Sequence, residues 1–410
     1  MYVHDLKLSG IRTFEAAALA FQAPDSKDTR PGLPNVTLVV GANGAGKSTV
    51  LRSIALAAIA PVLSSSGFVA RSIARRTKRD SVKGVMDATF TFSAEDVGAR
   101  GRWRSTVEVL PPRSGWIDRL SSNEAPPWSE TLWESGSAGF FVVGYGATRR
   151  VESSRSSGSF AQEKERHPRF LRVASLFEES VVLRPLSSWL PNWKNPGRRK
   201  QVIGLLNEIV GSAKLVDDPG TDDSLFDVGD ARVPFDALSD GYRAFIGWVA
   251  DFLFHVTRGV PSGHKLNETA GIALVDEIDL HMHPQWQREV LPRLAAALPR
   301  MQFICTTHSP LVIGSVHQKN VLVLRDADGK TIVEPAPIEV HGLSSDQILT
   351  SPYFGLESTR APAFVARLDE VAKKARSGDA AQARQYLRML SLGERAIDTP
   401  AKTSRKKVRP

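Results

Sequence analysis

Residues 36–60 read VTLVVGANGAGKSTVLRSIALAAIA, and this stretch decides the fold. Its opening residues, 36–40, form a short, mostly apolar run that predicts a buried strand, and its end repeats apolar side chains at helical spacing. Between the two lies a glycine-rich loop in which Gly41, Gly46, Lys47 and Ser48 match GxxxxGK(S/T), the pattern of a phosphate-binding loop. A chance match to a glycine-rich turn is disfavoured, because strand, loop and helix follow one another as the pattern requires.

The residue types of this loop suit a bound phosphate chain. Glycines let the backbone approach phosphate closely, and successive amides and the helix N-terminus then face the negative charge. Lys47 would neutralise the β- and γ-phosphates, and the Ser48 hydroxyl would be a ligand of Mg²⁺. The sequence therefore predicts an α/β protein organised around a nucleotide held at this loop.

The composition bounds the class of protein. The 410 residues are enough for one large domain or two to three ordinary ones, and 42% of them are hydrophobic. No apolar run approaches the roughly 20 residues of a membrane span, and the N-terminus lacks a signal-peptide layout. Cys305 is the single cysteine, so no internal disulfide can form. We expect a cytoplasmic protein without a membrane partner.

The net charge of +9 is unevenly distributed. The tail after Pro400 holds five basic residues and no acids, which is more than half of the excess. Two further clusters are Arg71, Arg75, Arg76, Lys78 and Arg79, and Lys194, Arg198, Arg199 and Lys200. Basic clusters can follow a nucleic-acid backbone, but they are also ordinary solvated surfaces. Both interpretations stay open.

The first half of the chain mixes strand and loop patterns. We predict a hairpin with its turn at Ser9-Gly10, antiparallel strands over 85–92 and 103–110, a loop over 111–138, a short strand over 140–143 and a serine-rich loop over 152–162. Residues 168–210 have apolar positions at helical spacing and predict a mostly helical insert. An acidic, glycine-containing stretch, 217–230, is followed by a predicted hairpin that leads to Leu238.

The second half returns to alternating helices and strands. The patterns predict helices over 240–258 and 284–298, strands over 272–275 and 302–306, a hairpin over 321–333, and interrupted helices over 344–392. No internal repeat and no long heptad pattern is present in the sequence.

An apolar strand over 272–275 ends in Asp276 and Glu277. In phosphate-loop enzymes the first such acid supports Mg²⁺ and the second orients and deprotonates water. Taken alone, the pattern also fits a strand followed by a helix cap. Together with the phosphate loop it predicts Asp276 as the metal-side acid and Glu277 as the general base.

Two further segments are candidate parts of the site. Ser239 and Gly241 begin a predicted helix, so Ser239 is either a simple N-cap or part of an anion site at the helix N-terminus. His308 follows the strand 302–306, where a side chain can face the crevice that binds nucleotides. A histidine in such a loop is otherwise an ordinary surface residue.

The ordered set GANGAGKST, LSDGYR, LVDEID, HMHPQWQ and TTHSP resembles the ATPases with ABC-type heads, in the branch that contains RecF, SMC and OLD-like proteins. Within this branch it looks most like AAA-type bacterial defence ATPases, such as the Septu and retron-associated subunits. The resemblance implies a P-loop NTPase fold, namely an ABC-type head with an antiparallel β subdomain and an inserted helical subdomain. LSDGY stands for the ABC signature, and LVDEID stands for Walker B with the following D-loop.

The resemblance also implies a role for each matching residue. Glu277, His308 and Lys47 would be catalytic, with Glu277 activating water and His308 sensing the γ-phosphate; Ser48 and Asp276 would hold Mg²⁺. Asp279 would be the D-loop acid, and Ser239 and Gly241 would contact the ATP of a second copy. Arg12 matches weakly a basic residue near the base or ribose. The ATP-binding residues would be Gly41, Asn43, Gly44, Ala45, Gly46, Lys47, Ser48, Thr49 and Arg12.

The sequence departs from this pattern in several places. No clear Q-loop glutamine is present, and Tyr145 and Arg149 are the candidates to serve instead. No nuclease domain is obvious. Asp326 and Asp328 form a DxD, but their Asp-Gly context predicts a simple hairpin turn. The histidines of HMHPQWQ are expected to belong to the structure of the head.

The expected organisation is an N-terminal lobe over 1–150, an inserted helical subdomain over 151–235, a C-terminal lobe over 236–340, a C-terminal helical region over 341–396 and a basic disordered tail over 397–410. Residues 342–360 would either dock a partner or belong to a helix pair that covers the head.

The expected function is that of a Mg²⁺-dependent ATPase that dimerises head to tail, or forms a higher even-numbered oligomer, on binding ATP. It would gate an effector, a nuclease or toxin encoded nearby, in anti-phage defence. One alternative is a RecF-like DNA-repair ATPase that binds DNA directly. A second is a regulatory scaffold that binds ATP and hardly hydrolyses it.

Overall fold

The computed structural model describes residues 1–26, 28–77, 80–92, 101–123, 142–151, 166–191, 193, 195–217, 224–260 and 263–392. Its strands are β1 Tyr2–Ile11, β2 Phe14–Ala20, β3 Val36–Gly41, β4 Gly84–Phe92, β5 Gly101–Leu110, β6 Arg119–Ser122, β7 Val142–Tyr145, β8 Arg150–Val151, β9 Val182–Leu183, β10 Lys214–Leu215, β11 Leu225–Val228, β12 Ala231–Pro234, β13 Gly271–Val275, β14 Met301–Thr306, β15 Val321–Ala327 and β16 Lys330–Pro335. Its helices are α1 Lys47–Ala58, α2 Pro168–Leu171, α3 Pro196–Val210, α4 Asp240–Gly259, α5 Pro284–Ala297, α6 Pro310–Ile313, α7 Ser345–Leu349, α8 Pro362–Arg376 and α9 Ala380–Leu392. The chain divides into two compact units, Met1–Ile348 and Leu349–Pro410. None of the described helices is both long and apolar enough to cross a bilayer.

A six-stranded sheet forms the centre of the first unit, in the order β16-β15-β3-β14-β13-β7. Five neighbouring strands, β15, β3, β14, β13 and β7, pair in parallel, and the edge strand β16 pairs antiparallel with β15. Every residue of β13 and β14 is buried, which is typical of parallel strands covered on both faces. Because parallel strands share one carboxyl edge, the loops after β3, β13 and β14 all leave the sheet on the same side.

A second sheet is antiparallel, in the order β2-β1-β4-β5-β6. Buried and half-buried residues alternate along β4, so one face of this sheet contributes to a core. That core also contains α1 side chains, such as Val50 and Ile54, and central-sheet residues, such as Val39 and Ile304. Helix α1 is therefore packed between the two sheets. This arrangement confirms the predicted phosphate-loop fold with an antiparallel β subdomain.

Two predictions for the N-terminal half were wrong. The first hairpin turns at Arg12-Thr13 rather than at Ser9-Gly10, because β1 continues to Ile11 and pairs there with Phe14. Arg12 takes the left-handed conformation that this turn requires, with φ 44°.

The predicted loop over 111–138 contains the edge strand β6, paired with the end of β5. Its sequence, RLSS, has no alternating apolar pattern, so periodicity does not reveal it. Residues 124–138 of that loop lie outside the described residues, as do 152–162 of the serine-rich loop.

The insert is less helical than its spacing predicts. Phe170, Val173 and Phe177 do not share one helix, because α2 ends at Leu171 and a separate 3-10 turn covers Ala174–Leu176. The short strand β9 then pairs in parallel with β8, and only α3 is a long helix. Successive tight turns place apolar side chains inward at three- and four-residue intervals, which imitates a helix. The predicted hairpin is present as β11 and β12, but its first strand lies within the acidic stretch and not after it.

The second unit contains the helix pair α8 and α9. Phe364, Leu368 and Met389 form its small core. The Arg360 guanidinium donates hydrogen bonds to the carbonyls of Met389 and Leu390, at 3.3 and 2.7 Å. This arginine therefore ties the chain before α8 to the last turns of α9. Residues 342–360 contain only the short helix α7, and the helix pair follows them in sequence. Both interpretations of residues 342–360 stay predictions.

Gln302 joins the two sheets and supplies a test of the fold. Its buried amide donates to the carbonyls of Val3 and Gln22, at 2.7 and 2.8 Å, and accepts from the Val3 amide at 2.9 Å. Gln302→Met would leave these buried groups unpaired, so we expect the free energy of unfolding to fall by about 2–4 kcal/mol. Urea unfolding followed by circular dichroism measures this loss. The exposed control Gln285→Met should change stability by less than about 0.5 kcal/mol, and an equal effect of both variants would contradict the assignment.

Candidate functional site

The phosphate loop leaves β3 at Gly41 and enters α1 at Gly46. Gly46 has φ 90°, and a Cβ there would lie 2.6 Å from the Phe14 ring. A Cβ at Gly41, where φ is 156°, would lie 2.4 Å from the Leu324 carbonyl oxygen. Both positions therefore require glycine, while Ala42, Asn43 and Gly44 between them are exposed. The loop keeps its close packing on one side and stays accessible on the other.

The Lys47 ammonium lies inside this loop. Its Nζ donates to the carbonyls of Gly41 and Ala42, at 2.9 and 3.0 Å. Burial lowers the pKa of Lys47, and the nearby carboxylates of Asp276, Glu277 and Asp279 oppose that shift. The cation of the loop and the acids after β13 are thus within electrostatic reach of each other, as the sequence predicts for one shared site.

Threonine side chains at the end of β14 hold the acids that follow β13. Thr306 donates from its hydroxyl to Asp276 Oδ1 at 2.6 Å and accepts from the Glu277 amide at 2.7 Å. Thr307 in turn donates to the Asp279 carboxylate. Asp276 is only 5% exposed, whereas Glu277 and Asp279 are half-buried. The carboxylates of Asp276 and Asp279 and the backbone of Glu277 therefore have fixed positions before any ligand arrives.

His308 lies beside the same charges. Burial lowers the pKa of His308 below its ordinary value, the Lys47 ammonium adds to this, and the three acids oppose it. This shift favours the neutral imidazole. The structure thus brings Lys47, Asp276, Glu277, Asp279 and His308 together at the carboxyl edge of the central sheet.

The segment LSDGYR begins α4, as predicted. Ser239 occupies the N-cap position, but its hydroxyl makes no capping bond, so the simple N-cap interpretation was wrong for the side chain. Ser239 is exposed, and Gly241 is half-exposed, with its Cα close to the His281 carbonyl, which a Cβ would approach to 3.1 Å. Among the described residues, no hydrogen bond joins Ser239 or Gly241 to the phosphate loop of the same chain.

A cavity of about 240 Å³ runs along α1 from Thr49 to Leu56. Its lining includes four arginines, Arg12, Arg52, Arg71 and Arg166, together with the rings of Phe68 and Phe177. Burial lowers the pKa of Arg12, and the positive charge of Arg52 lowers it further. Glu178 also lines the cavity and pairs with Arg166 at 2.6 Å, so the remaining three arginines give the cavity a net positive charge. Arg12 therefore lies beside a cationic, partly aromatic cavity that begins at the first turn of the phosphate-loop helix.

Several functional contacts were missed or left open by the sequence. Tyr145 and Arg149 were the two candidates for the missing glutamine, but the fully buried Tyr145 hydroxyl donates to Asp251 at 2.7 Å. Arg149 instead donates to the Glu277 carbonyl at 2.6 Å. The roles of the threonines of TTHSP were not predicted; the available signal was a hydroxyl residue at the end of one strand beside a strand that ends in acids.

The remaining candidate residues have structural roles. The DxD lies in the β15–β16 turn, where Asp326 accepts from the Gly329 amide at 2.8 Å. His283 is the N-cap of α5. Across the described residues, no group of three or more His, Cys, Asp or Glu side chains is arranged to hold a metal ion.

Two arginines of the basic cluster hold loops together. Arg75 donates to the carbonyls of Arg12 and Thr13, at 3.1 and 2.8 Å. Arg76 forms an ion pair with the buried Asp118 at 2.7 Å. Lys78, Arg79, Lys194 and the basic tail lie outside the described residues. Nucleic-acid contact through these clusters stays a prediction.

The family model described as "AAA domain, putative AbiEii toxin, Type IV TA system" matches residues 36–314. The chain belongs to this family. The matched span begins at β3 and includes the phosphate loop, the LSDGYR segment, the acids after β13 and His308. The predicted resemblance to AAA-type P-loop ATPases is therefore confirmed.

Curated relatives carry names from the predicted group. Septu protein PtuA of Bacillus thuringiensis is 21% identical over 389 residues, which are 91% of this chain and 89% of that protein. Septu protein PtuA of Bacillus mycoides (strain KBAB4) is 27% identical over 221 residues, 53% of this chain but 30% of that protein. The "Retron Ec83 probable ATPase" of Escherichia coli is 36% identical over 112 residues, 27% of this chain and 20% of that protein. The chain thus spans less than a third of the length of the latter two.

Thr306 supplies a test of how the acids are held. Thr306→Val keeps the shape but leaves the Asp276 carboxylate and the Glu277 amide without this partner. We expect ATP turnover to fall by about 10- to 100-fold, the equivalent of one buried hydrogen-bonded group, with ATP affinity nearly unchanged. Steady-state phosphate release and nucleotide titration measure the two effects.

Thr257→Val is the matched control, because this buried threonine bonds only within α4, to the Leu253 carbonyl at 2.6 Å. It should keep wild-type turnover. Unchanged turnover of Thr306→Val would show that the threonine does not position the acids.

Proposed function

We propose that this chain binds and hydrolyses ATP, dimerises head to tail on ATP, and gates a partner effector in bacterial anti-phage defence. The observation that carries the catalytic part is the convergence of Lys47, the carboxylates of Asp276, Glu277 and Asp279, and His308 at one edge of the central sheet. Phosphoryl transfer depends on positioned charges more than on covalent chemistry, and this site consists of positioned charges.

The roles follow from the residue types. Backbone amides of the loop from Gly41 to Thr49 bind the phosphates, and Lys47 neutralises their charge. Glu277 accepts a proton from the attacking water as it adds to the γ-phosphorus, while the bond to the β–γ bridging oxygen breaks and ADP leaves. Neutral His308 donates a hydrogen bond to the γ-phosphate. The cationic cavity beside Arg12 accommodates the nucleoside end of ATP.

The residues also fit a Mg²⁺ ion held mainly by the nucleotide. Mg²⁺ in such sites takes one or two protein oxygens and completes its shell with phosphate and water. The half-buried Ser48 hydroxyl and the Asp276 carboxylate, with only its Oδ1 bonded to Thr306, supply this donor set. When bound, the ion neutralises charge on the β- and γ-phosphates.

An exposed signature supports dimerisation. Ser239 offers an uncapped hydroxyl at the N-terminus of the twenty-residue helix α4, and this end favours anions. We infer that the γ-phosphate held by one copy meets Ser239 and Gly241 of a second copy. A symmetric dimer then contains two composite ATP sites.

Complementation between inactive variants tests the composite site. Lys47→Ala removes the phosphate-loop cation, and Ser239→Glu places a repelling charge in the signature. Each variant alone should be inactive, but a 1:1 mixture should recover about a quarter of wild-type turnover, because half of the dimers then contain one intact site of two. Phosphate release measures recovery, and light scattering with Glu277→Gln and ATP measures dimer mass.

No recovery in the mixture, together with a monomeric Glu277→Gln protein in saturating ATP, would refute the head-to-tail dimer. Mixing Lys47→Ala with Glu277→Gln is the control, because both changes lie on the phosphate-loop side and each heterodimer lacks an intact site.

The defence role rests on the relatives, which are named as Septu and retron proteins. We expect a host that carries the gene with its native neighbours to resist phages, and we expect Lys47→Ala and Glu277→Gln to restore plaque formation. The exposed substitution Gln285→Met should keep resistance. Resistance that survives Lys47→Ala would show that defence does not depend on ATP binding. A host that carries the unchanged gene and its neighbours but is sensitive to every phage of a broad panel would contradict the defence role.

A further inference from the structure

Arg149 is a buried cation placed directly behind the predicted general base. It follows β7, the neighbour of β13 in the central sheet, and is only 7% exposed. Its Nη2 donates to the Glu277 main-chain carbonyl at 2.6 Å. The contact joins residues that are 128 positions apart in sequence. Arg149 therefore acts on the backbone of Glu277 and leaves the carboxylate free.

The Glu277 backbone needs such a partner. Glu277 has φ 48°, a left-handed conformation that costs a non-glycine residue free energy unless its surroundings hold it. Thr306 holds the amide side of Glu277 at 2.7 Å, and Arg149 holds the carbonyl side. Together the two contacts fix both peptide groups of the residue and so determine where its side chain begins.

The charge of Arg149 matters as well as its geometry. Burial lowers the pKa of Arg149 to about 10, and the carboxylates of Asp276, Asp279 and Glu277 oppose this shift. Arg149 therefore stays protonated at neutral pH and offsets part of the charge of the acids. Its Nη1 is buried and has no hydrogen-bond partner among the described residues.

Arg149 also contacts the helix that carries the signature. Its Cζ lies 5.7 Å from the centre of the Trp248 ring on α4. From Trp248 a row of rings continues toward Ser239, through Phe245 at 6.1 Å and then Trp286 at 5.7 Å, which meets Tyr242 at 4.4 Å. One guanidinium thus touches both the base segment and the helix that would meet a second copy.

We propose that Arg149 is a positioning residue for hydrolysis, which holds Glu277 in its left-handed conformation and ties it to α4. This inference rests on the proposed ATPase function and extends it. Of the two candidates for the missing Q-loop glutamine, only Arg149 contacts Glu277, and it does so through a main-chain carbonyl.

Kinetics of Arg149→Met test this role. We expect kcat to fall about 100-fold, whereas the dissociation constant of ATP changes less than about threefold, because Lys47 and the loop are untouched. Arg149→Lys keeps the positive charge and can still donate a hydrogen bond, so its kcat should lie between those of the wild type and Arg149→Met. Arg169→Met is the control: this arginine is 1% exposed and its pKa is likewise lowered by burial, but the acids of the site are absent from the causes of that shift.

A double-mutant cycle separates positioning from a general structural effect. If Arg149 acts through Glu277, the residual kcat of Glu277→Gln should fall less than about threefold further when Arg149→Met is added. Independent effects would multiply to the full 100-fold. Arg149→Lys enters the same cycle if Arg149→Met fails to fold.

The outcomes distinguish this inference from the proposed function. Wild-type protein without ATP turnover, or Glu277→Gln with wild-type kcat, would overturn the ATPase proposal and this inference with it. Two outcomes would overturn the role of Arg149 alone. One is turnover that is lost in Glu277→Gln but kept in both Arg149→Met and Arg149→Lys, and the other is multiplicative effects in the double-mutant cycle. Equal losses with Arg169→Met would likewise assign the effect to stability.

Discussion

The site depends on one constraint, the shared carboxyl edge of the parallel strands β3, β13 and β14. Backbone pairing holds these strands in order, with Phe303 opposite Val36 on one side and Val275 opposite Cys305 on the other. The loops that follow therefore leave the sheet next to one another, which brings a lysine, three acids and a histidine into one electrostatic environment. The antiparallel sheet and α1 cover this arrangement and keep the strands dry.

Holding three carboxylates together requires compensation, because like charges at short range repel. The structure supplies it in two ways. Lys47 and Arg149 bring positive charge from two different segments. Burial lowers the pKa of each side chain, and the acids oppose that shift. Thr306 and Thr307 add hydroxyl donors to Asp276 and Asp279. The site is thus organised in advance, as a reaction that relies on electrostatic stabilisation requires.

Much of this site follows from sequence, because its residues lie in short motifs whose spacing has a local meaning. The glycines of the phosphate loop, the acids after an apolar strand and the histidine after the next strand are each readable within ten residues. The insert was harder to predict. Phe170 and Phe177 are spaced as in a helix, but their rings pack on each other and on Phe68 from separate turns. Periodicity reports which side chains are buried, and several backbone paths satisfy the same pattern.

The sequence alone determined the nucleotide-binding fold, the position of the phosphate loop and the identity of the acids, since these depend on local patterns of apolar, glycine and charged residues. Only the tertiary structure decided that Arg12 forms the first turn, that Ser239 leaves its hydroxyl uncapped, and that Arg149 rather than Tyr145 reaches Glu277. The physical reason is distance along the chain. A hydrogen bond to a main-chain carbonyl carries no side-chain signature on its acceptor, so a contact such as that of Arg149 exists only once the strands that carry both residues have paired.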